Sequence, residues 1–435
     1  MDRVAVGLLG LGTVGSGVAR LLDDGADRVA RRAGHRVAVT RAVVRDPGKV
    51  RDCPLPPDRI GTDPRAVLDD PEIRVVVEVM GGIEPAFEWN CRALAAGKDV
   101  VTANKALLAE RGAELFAVAR QHGRAIAFEA AVGGGIPIVQ ALGVGLAANR
   151  VDSIAAIVNG TCNFILTAMG RDGLPYDQAL AQAQALGYAE ADPTMDVDGT
   201  DTAHKLAVLA QLAFGANVTL ADIARAGIDR LQPADMTYAA ELGYVVKLLA
   251  LADRTDDALS LRVGPTLVRR GTPLADVQGP YNAVRVVGDA VGDTLFYGRG
   301  AGAMPTASAV VGDLIDVLVG RAALTARALD LWSGSADGPT LAPPDQIRSR
   351  YYLRFSIADR PGVIAAIARV LGAHGISIAS LIQHDPGDDA TPATPVPLVM
   401  MTHHAVTADL HAALAEIDRL DVVTPPTVCL PVGEG

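Results

Sequence analysis

Hydrophobic and polar positions divide the chain into stretches of different period. Val4 to Leu9 is a short continuous apolar run, the pattern of a central parallel strand buried on both faces. It passes into a helical pattern through Val18, Leu21 and Leu22. Arg36 to Val44 and Val75 to Val79 read as further strands, the latter followed by a helix carrying Phe87, Cys91 and Leu94. Asp99-Val-Val-Thr-Ala-Asn-Lys105 is a strand whose C-terminal end delivers Asn104 and Lys105, and Ala125 to Glu129 is one more. Strands alternating with helices predict a doubly wound parallel sheet. From about Val151 the character changes. Ser153 to Val158 is a strand, Asn159-Gly-Thr-Cys162-Asn163 turns into a helix, and alternation persists to about Leu261. A glycine-rich turn, Tyr297 to Pro305, precedes one long helix, Ser308 to Arg327.

Ser333 to Arg348, rich in Gly, Pro, Ser and Ala, reads as a linker. A compact unit follows: strand Arg350–Ile357, turn Asp359-Arg-Pro-Gly362, helix Val363–His374, strand Ile376–Gln383, a loop from Asp385 to Pro397, strand Val399–Thr402, helix Thr407–Leu420 and strand Val422–Leu430. That order is βαββαβ, ferredoxin-like. The expected division is 1–130 (with a return helix near 305–330), 131–304, a linker at 333–348, and 349–431.

Composition narrows the partners. Half of the 435 residues are hydrophobic, yet no run of about 18 apolar residues predicts a membrane span. A net charge of −11 disfavours nucleic acid and anionic membrane. Cys53, Cys91, Cys162 and Cys429 are scattered without a C-x-x-C pair. With no leader pattern at the start, this suits free thiols and a cytoplasmic location.

Gly10-Leu11-Gly12-Thr13-Val14-Gly15 lies between the first strand and its helix, the context that makes G-x-G-x-x-G a dinucleotide fingerprint of a Rossmann-type sheet. Gly10 makes the turn, Gly12 lets main-chain N–H groups approach a pyrophosphate, and Gly15 brings helix close to sheet; a ligand-free glycine turn is the plain alternative. After the second strand Arg45 precedes Asp46, an arrangement that suits a 2′-phosphate and favours NADP, with NAD retained. Glu129-Ala-Ala-Val-Gly-Gly-Gly-Ile-Pro137 offers carbonyls and one carboxylate to a hard monovalent cation, or serves as a hinge.

The most distinctive stretch is Gly187 to Lys205, where Glu190, Asp192, Asp196, Asp198 and Asp201 precede a single lysine. Past Gly199 the pattern is helical, with Thr200 expected as N-cap. Asp201 and Lys205 share a helix face that continues through apolar Val208, Leu209 and Leu212. An exposed ion pair is the bland reading. Against it stands lysine usage: only Lys49, Lys98, Lys105, Lys205 and Lys247 occur among many arginines, and lysine, unlike arginine, exchanges a proton.

These elements together resemble the homoserine dehydrogenase family over essentially the whole chain. The resemblance rests on the first glycine turn, Thr102-Ala-Asn-Lys105, Glu129-x-x-Val132-Gly-Gly134-x-Ile136-Pro, Asn159-Gly-Thr161, and Gly187 to Lys205 with its Glu-x-Asp-Pro and Asp-x-x-x-Lys elements. The C-terminal unit resembles an ACT domain, so the fold class expected is a Rossmann-type sheet, an α+β catalytic and dimerisation domain, and an ACT unit. The resemblance implies interconversion of L-homoserine and L-aspartate 4-semialdehyde with NAD(P)(H), in threonine, methionine and isoleucine biosynthesis. By position it makes Lys205 the proton donor or acceptor and Lys105 its assistant beside the nicotinamide. Glu190, Asp201, Asp196 and Thr161 hold substrate, while Gly187 and Gly302 lie against cofactor. Glu129, Val132, Gly134 and Ile136 match a monovalent cation site, expected to take sodium. A homodimer or higher homo-oligomer and L-threonine as an ACT effector are implied in the same way. Two rivals remain: an acylating semialdehyde dehydrogenase using Cys162 as nucleophile, and a non-catalytic amino-acid sensor.

Overall fold

The computed structural model describes residues 2–255, 258–333, 338–385 and 395–433. Six parallel strands form the first sheet: β1 (Arg3–Leu9), β2 (Arg36–Val43), β3 (Ile60–Gly61), β4 (Ile73–Glu78), β5 (Asp99–Thr102) and β6 (Ile126–Ala127). Their order is β3-β2-β1-β4-β5-β6, so the winding reverses between β1 and β4 and a crevice opens at their carboxyl ends. Leu8 and Leu9 of β1 and Val75, Val76 and Val77 of β4 are fully buried, because helices cover both faces. The helix Ala303–Leu318 returns to this sheet and packs on the helix Thr13–Asp24. A Cβ on Gly17 would lie 2.8 Å from the Ala303 carbonyl, so the two backbones touch only because Gly17 lacks one.

Three expectations change here. The strand foreseen at Ala125–Glu129 is only Ile126–Ala127, and Glu129 begins a turn, Glu129–Ala131, its own N–H donating to Asp313. The single helix Ser308–Arg327 is two, Ala303–Leu318 and Arg321–Leu329. They are split at Gly320, whose φ of 83° no helix accommodates. Thr200 is not the N-cap. Gly199 is, at φ 85°, and the Thr200 N–H is taken by the Asp198 carboxylate.

The second sheet contains β7 (Val151–Ile157), β8 (Ala224–Arg225), β9 (Tyr244–Thr255), β10 (Ala258–Arg269), β11 (Tyr281–Gly288), β12 (Gly292–Arg299) and β13 (Thr340–Leu341). Its path is β12-β11-β7-β9-β10-β13, with β8 paired to β10. Alternation of strand and helix therefore stops well before Leu261, because β9 and β10 pair antiparallel along their lengths. The long strands β11 and β12 were not foreseen, nor were the two-residue strands β3, β8 and β13. Part of β12 was read as a turn on account of its glycines, but cross-strand pairing with β11 overrides local propensity.

The expected linker is partly ordered. β13 falls inside it and β14 (Arg348–Ser349) straddles its end, while residues 334–337 lie outside the described ones. At its start Trp332 is buried, with its ring 4.6 Å from Phe116 and 5.7 Å from Phe128. The last unit holds β15 (Tyr351–Ile357), β16 (Ile378–Ile382), β17 (Val396–Thr402), β18 (Ala405–Val406) and β19 (Val423–Pro431), with helices Val363–Ala373 and Thr407–Ile417. Four of these strands stand in the antiparallel order β16-β17-β15-β19, the ferredoxin-like arrangement foreseen. Most of the loop expected from Asp385 to Pro397, residues 386–394, lies outside the described residues.

Candidate active site

The crevice beyond β1 and β4 has a volume of about 1380 Å³. Gly10, Leu11, Gly12 and Thr13 form one wall, Val79 to Gly82 another, and Arg45 stands where β2 ends. Gly10 holds φ 106°, and a Cβ there would sit 2.9 Å from the Val79 carbonyl. Gly12 faces open space, leaving room for a ligand to approach its N–H. A Cβ on Gly15 would come 2.3 Å from the Gly10 carbonyl. Gly15 and Val14 thus sit behind the turn, with the helix-packing duty that the fingerprint assigns to its third glycine. Gly302 caps the helix Ala303–Leu318 at φ 119°, one residue from Ala303, which lines the crevice. Gly187, at φ 75°, turns the chain after the helix Tyr176–Ala185.

Glu78 connects this crevice to the lysines, and it was not foreseen. Fully buried at the end of β4, it accepts the Met80 and Gly81 N–H groups on one oxygen and the Thr102 hydroxyl on the other. Burial pushes its carboxyl above the ordinary value, opposed by those bonds. Asn104 donates to the Gly82 carbonyl at 2.6 Å and accepts the Leu107 N–H, so it caps the helix Lys105–His122 while gripping the crevice wall. The sequence cue for Glu78 is a carboxylate closing an apolar run.

Lys105 opens that helix and meets Asp201 at 3.1 Å. Lys205 Nζ donates to the other Asp201 oxygen at 2.6 Å and to the Val158 carbonyl at 2.7 Å. One buried carboxylate therefore bridges both amines. Burial raises the Asp201 pKa, but Lys205 and Lys105 outweigh it and hold the group below its usual range. Asp201 in turn raises Lys105, against desolvation, with Asp196 and Glu190 adding to the same field. Lys205 has only 12% of its side chain accessible, unlike a surface pair, whereas Lys105 is half-buried at 39%. His204 Nε2 lies 3.2 Å from Glu110, a second tie between the two lysine-bearing helices.

Asn159 had been quoted only as part of a motif. Its amide donates to Asp196 at 2.8 Å and to Asp201 at 2.9 Å, while its oxygen accepts the Cys162 N–H. It thereby caps the helix Gly160–Asp172 and steadies two carboxylates that repel each other; an Asn directly before a helical pattern was the available signal. Burial raises the Asp196 pKa. Thr161 donates to the Tyr188 carbonyl at 2.7 Å, pinning the segment that carries Glu190, which is itself exposed. Asp192 and Asp198 accept local N–H groups and order the loop.

Cys162 is fully buried, and its thiol donates to the Asp196 carbonyl. Burial, reinforced by Asp196 and Asp201, pushes it well above its usual pKa. A thiolate nucleophile is disfavoured there, which removes the chemical basis of the acylating rival. Around Gly134, whose φ is 55°, the chain runs against Gly300, so that a Cβ would lie 2.3 Å from its carbonyl. Glu129 accepts the Val139 and Gln140 N–H groups. Its pKa is pushed up to about 7 by burial, against those bonds.

Three family profiles match the chain. A homoserine dehydrogenase profile matches residues 137–315, a homoserine dehydrogenase NAD-binding profile residues 10–129, and an ACT profile residues 351–422. A homoserine dehydrogenase of Synechocystis is 45% identical over 97% of both chains. The chain belongs to the homoserine dehydrogenase family. It is thus an NAD(P)-dependent oxidoreductase acting on a CH–OH group, and a role as a sensor without catalysis is set aside. A crystal structure of the homoserine dehydrogenase from Thiobacillus denitrificans superposes with a TM-score of 0.90 at 44% identity, covering 100% of this chain and 99% of that one. A hyperthermophilic archaeal homoserine dehydrogenase in complex with NADPH matches at TM-score 0.60 and 26% identity, over 73% of this chain and 98% of that one. Among the described residues no helix is long and apolar enough to cross a membrane.

Proposed function

We propose that the chain interconverts L-homoserine and L-aspartate 4-semialdehyde with NADP(H) preferred, and that Lys205 handles the proton. The observation that carries this reading is the bridging of Lys105 and Lys205 by one buried Asp201, at the end of the network that starts on the crevice wall. Bound nicotinamide supplies the hydride. In the reducing direction the carbonyl electron pair moves to oxygen as the hydride adds to carbon. A positioned ammonium then stabilises and protonates that oxygen. Lys205 has three N–H groups and spends two, on Val158 and Asp201, which leaves one for substrate. Lys105 lends a second positive charge. Glu190 and Asp196 suit the substrate ammonium, and Thr161 holds the Glu190 segment in place through Tyr188.

Arg45, with Lys49 and Arg20 in the same crevice, supports the 2′-phosphate reading, as does the NADPH bound by the archaeal relative. The residues about Glu129 fit a monovalent cation such as sodium. Among the described residues the Val132 and Gly134 carbonyls accept no hydrogen bond. Glu129 and Asp313 are adjacent buried acids, both with raised pKa values, and a cation there would offset their charge. Ile136 suits the set less well, since its carbonyl already takes the Ile138 N–H. Exposed Leu295 and Tyr297 on the edge strand β12 support a homodimer through the middle sheet, and the ACT unit supports an amino-acid effector, for which L-threonine is proposed.

The test is Lys205→Met, which keeps the stem and removes the amine. Turnover should fall about 10²- to 10⁴-fold while NADPH affinity, read by fluorescence, stays as in the parent. Retained turnover sinks the assignment. The same homoserine oxidation assay, run with NADP against NAD, sodium against tetramethylammonium, and with L-threonine added, checks the cofactor, cation and effector arms.

A further inference from the structure

Arg51 spends its guanidinium on main-chain oxygens. Nε donates to Leu11 at 3.0 Å, one terminal nitrogen to Lys49 at 2.6 Å and the other to Asp46 at 2.7 Å. Leu11 lies inside the first glycine turn, between Gly10 and Gly12. Asp46 and Lys49 belong to the segment after β2, whose root is Arg45. That segment, 44–56, has neither helix nor strand. At its ends the Val44 N–H donates to the Gly61 carbonyl and the Pro56 carbonyl accepts the Arg59 N–H. Between them, besides Arg51, the hydrogen bonds among the described residues are a local Gly48 to Asp46 bond and those of Arg20 to Asp52. A rigid planar fork presents donors on three separate nitrogens to three carbonyls in a fixed geometry, whereas a lysine has its donors on one freely rotating nitrogen.

We propose that Arg51 is a positioning residue for the dinucleotide: it staples the segment after β2 to the glycine turn and so sets the spacing between the glycine wall and the Arg45 side of the cofactor crevice. With its donors directed at carbonyls, Arg51 acts through Leu11, Asp46 and Lys49 and reads no feature that separates NADP from NAD. This rests on the crevice being the cofactor site, not on the NADP preference.

The experiment measures NADPH and NADH affinity by fluorescence, with steady-state kinetics, in Arg51→Ala, Arg51→Lys and Arg45→Ala. Arg51→Ala should raise both dissociation constants by a common factor of about ten, the scale of one or two charge-assisted bonds. The ratio between the cofactors should hold within about twofold, with the loss in cofactor KM and little in kcat. Arg51→Lys should fall between parent and Arg51→Ala, and it carries the same comparison should the alanine variant misfold. Arg45→Ala should weaken NADPH alone. If it does not, the NADP preference fails while the Arg51 test stands, since that test reads a loss common to both cofactors. A loss confined to NADPH in Arg51→Ala would make Arg51 a direct phosphate ligand and overturn the staple. So would unchanged affinity for both cofactors, or a fall in kcat with affinity intact.

Discussion

A carboxylate can serve a lysine only where the surroundings decide which of them keeps its charge. Asp201 keeps its charge because two ammonium groups and the Asn159 amide outweigh its burial. Glu129 is the opposite case, since burial exceeds the help of its N–H partners and lifts its pKa from 4.5 to about 7. The folded state therefore holds that proton longer than the unfolded chain does. The resulting stability is complete below about pH 4.5 and is lost as pH rises through about 7, at about 1.4 kcal/mol per unit. Over that window the loss is about 3 kcal/mol, less whatever a bound cation returns. Urea unfolding at pH 5 and pH 8 in choline buffer should show this fall, and Glu129→Gln should flatten it, leaving the part due to Asp313. Sodium should restore more at pH 8 than at pH 5. Equal slopes in parent and variant would show that Glu129 does not titrate there. Little of this was legible in the sequence: the bonds of Glu129 to Val139 and Gln140 depend on a turn that no periodicity encodes.

At the scale of elements, the strand–turn–helix at the N-terminus was legible because its signal is local. Apolar run, glycine spacing and helical period all fall within about two dozen residues, and they agree. The lysine helix Thr200–Phe214 was legible for the same reason, since a four-residue spacing fixes a shared face. The strands β11 and β12 were not, because their stability comes from partners distant in the chain. Arg51 left no trace either: a guanidinium bonded to carbonyls carries no pattern of residue types. Gly15 tests the local logic. A Cβ there would meet the Gly10 carbonyl at 2.3 Å, and main chain cannot step aside cheaply. Gly15→Ala should cost about 1–3 kcal/mol of overpacking, displace the turn, and weaken both cofactors at least tenfold. Thermal unfolding and NADPH titration check this, and an alanine variant that binds like the parent would mean the turn has slack the distances deny.

For the molecule as a whole, the question is how firmly the ACT unit is fixed to the catalytic sheets. Its order was readable from βαββαβ, but its docking was not, because the residues that fix it lie more than a hundred positions apart. Arg354 of β15 meets Asp235 at 2.6 Å, both buried, and the Tyr352 hydroxyl donates to the same carboxylate. His384 stacks on Tyr238 and reaches Glu241 at 2.9 Å, both on the helix Pro233–Glu241. Val432 pairs with Leu267 of β10. Desolvating two charges offsets much of their attraction, so such a pair adds little net stability while making the loss of one partner costly. Asp235→Ala should therefore destabilise the full chain by about 3–5 kcal/mol, because Arg354 is left buried and unpaired. The double variant Asp235→Leu with Arg354→Met should recover most of that loss, and Tyr352→Phe in its background should recover more by removing the stranded hydroxyl. Urea unfolding of the four proteins decides it. If the double variant loses as much as the single, the pair is uncoupled and the ACT unit is held by its other contacts, those of His384 and Val432 among them. If it recovers, the buried pair contributes orientation more than strength, fixing the angle at which β15 meets the helix Pro233–Glu241.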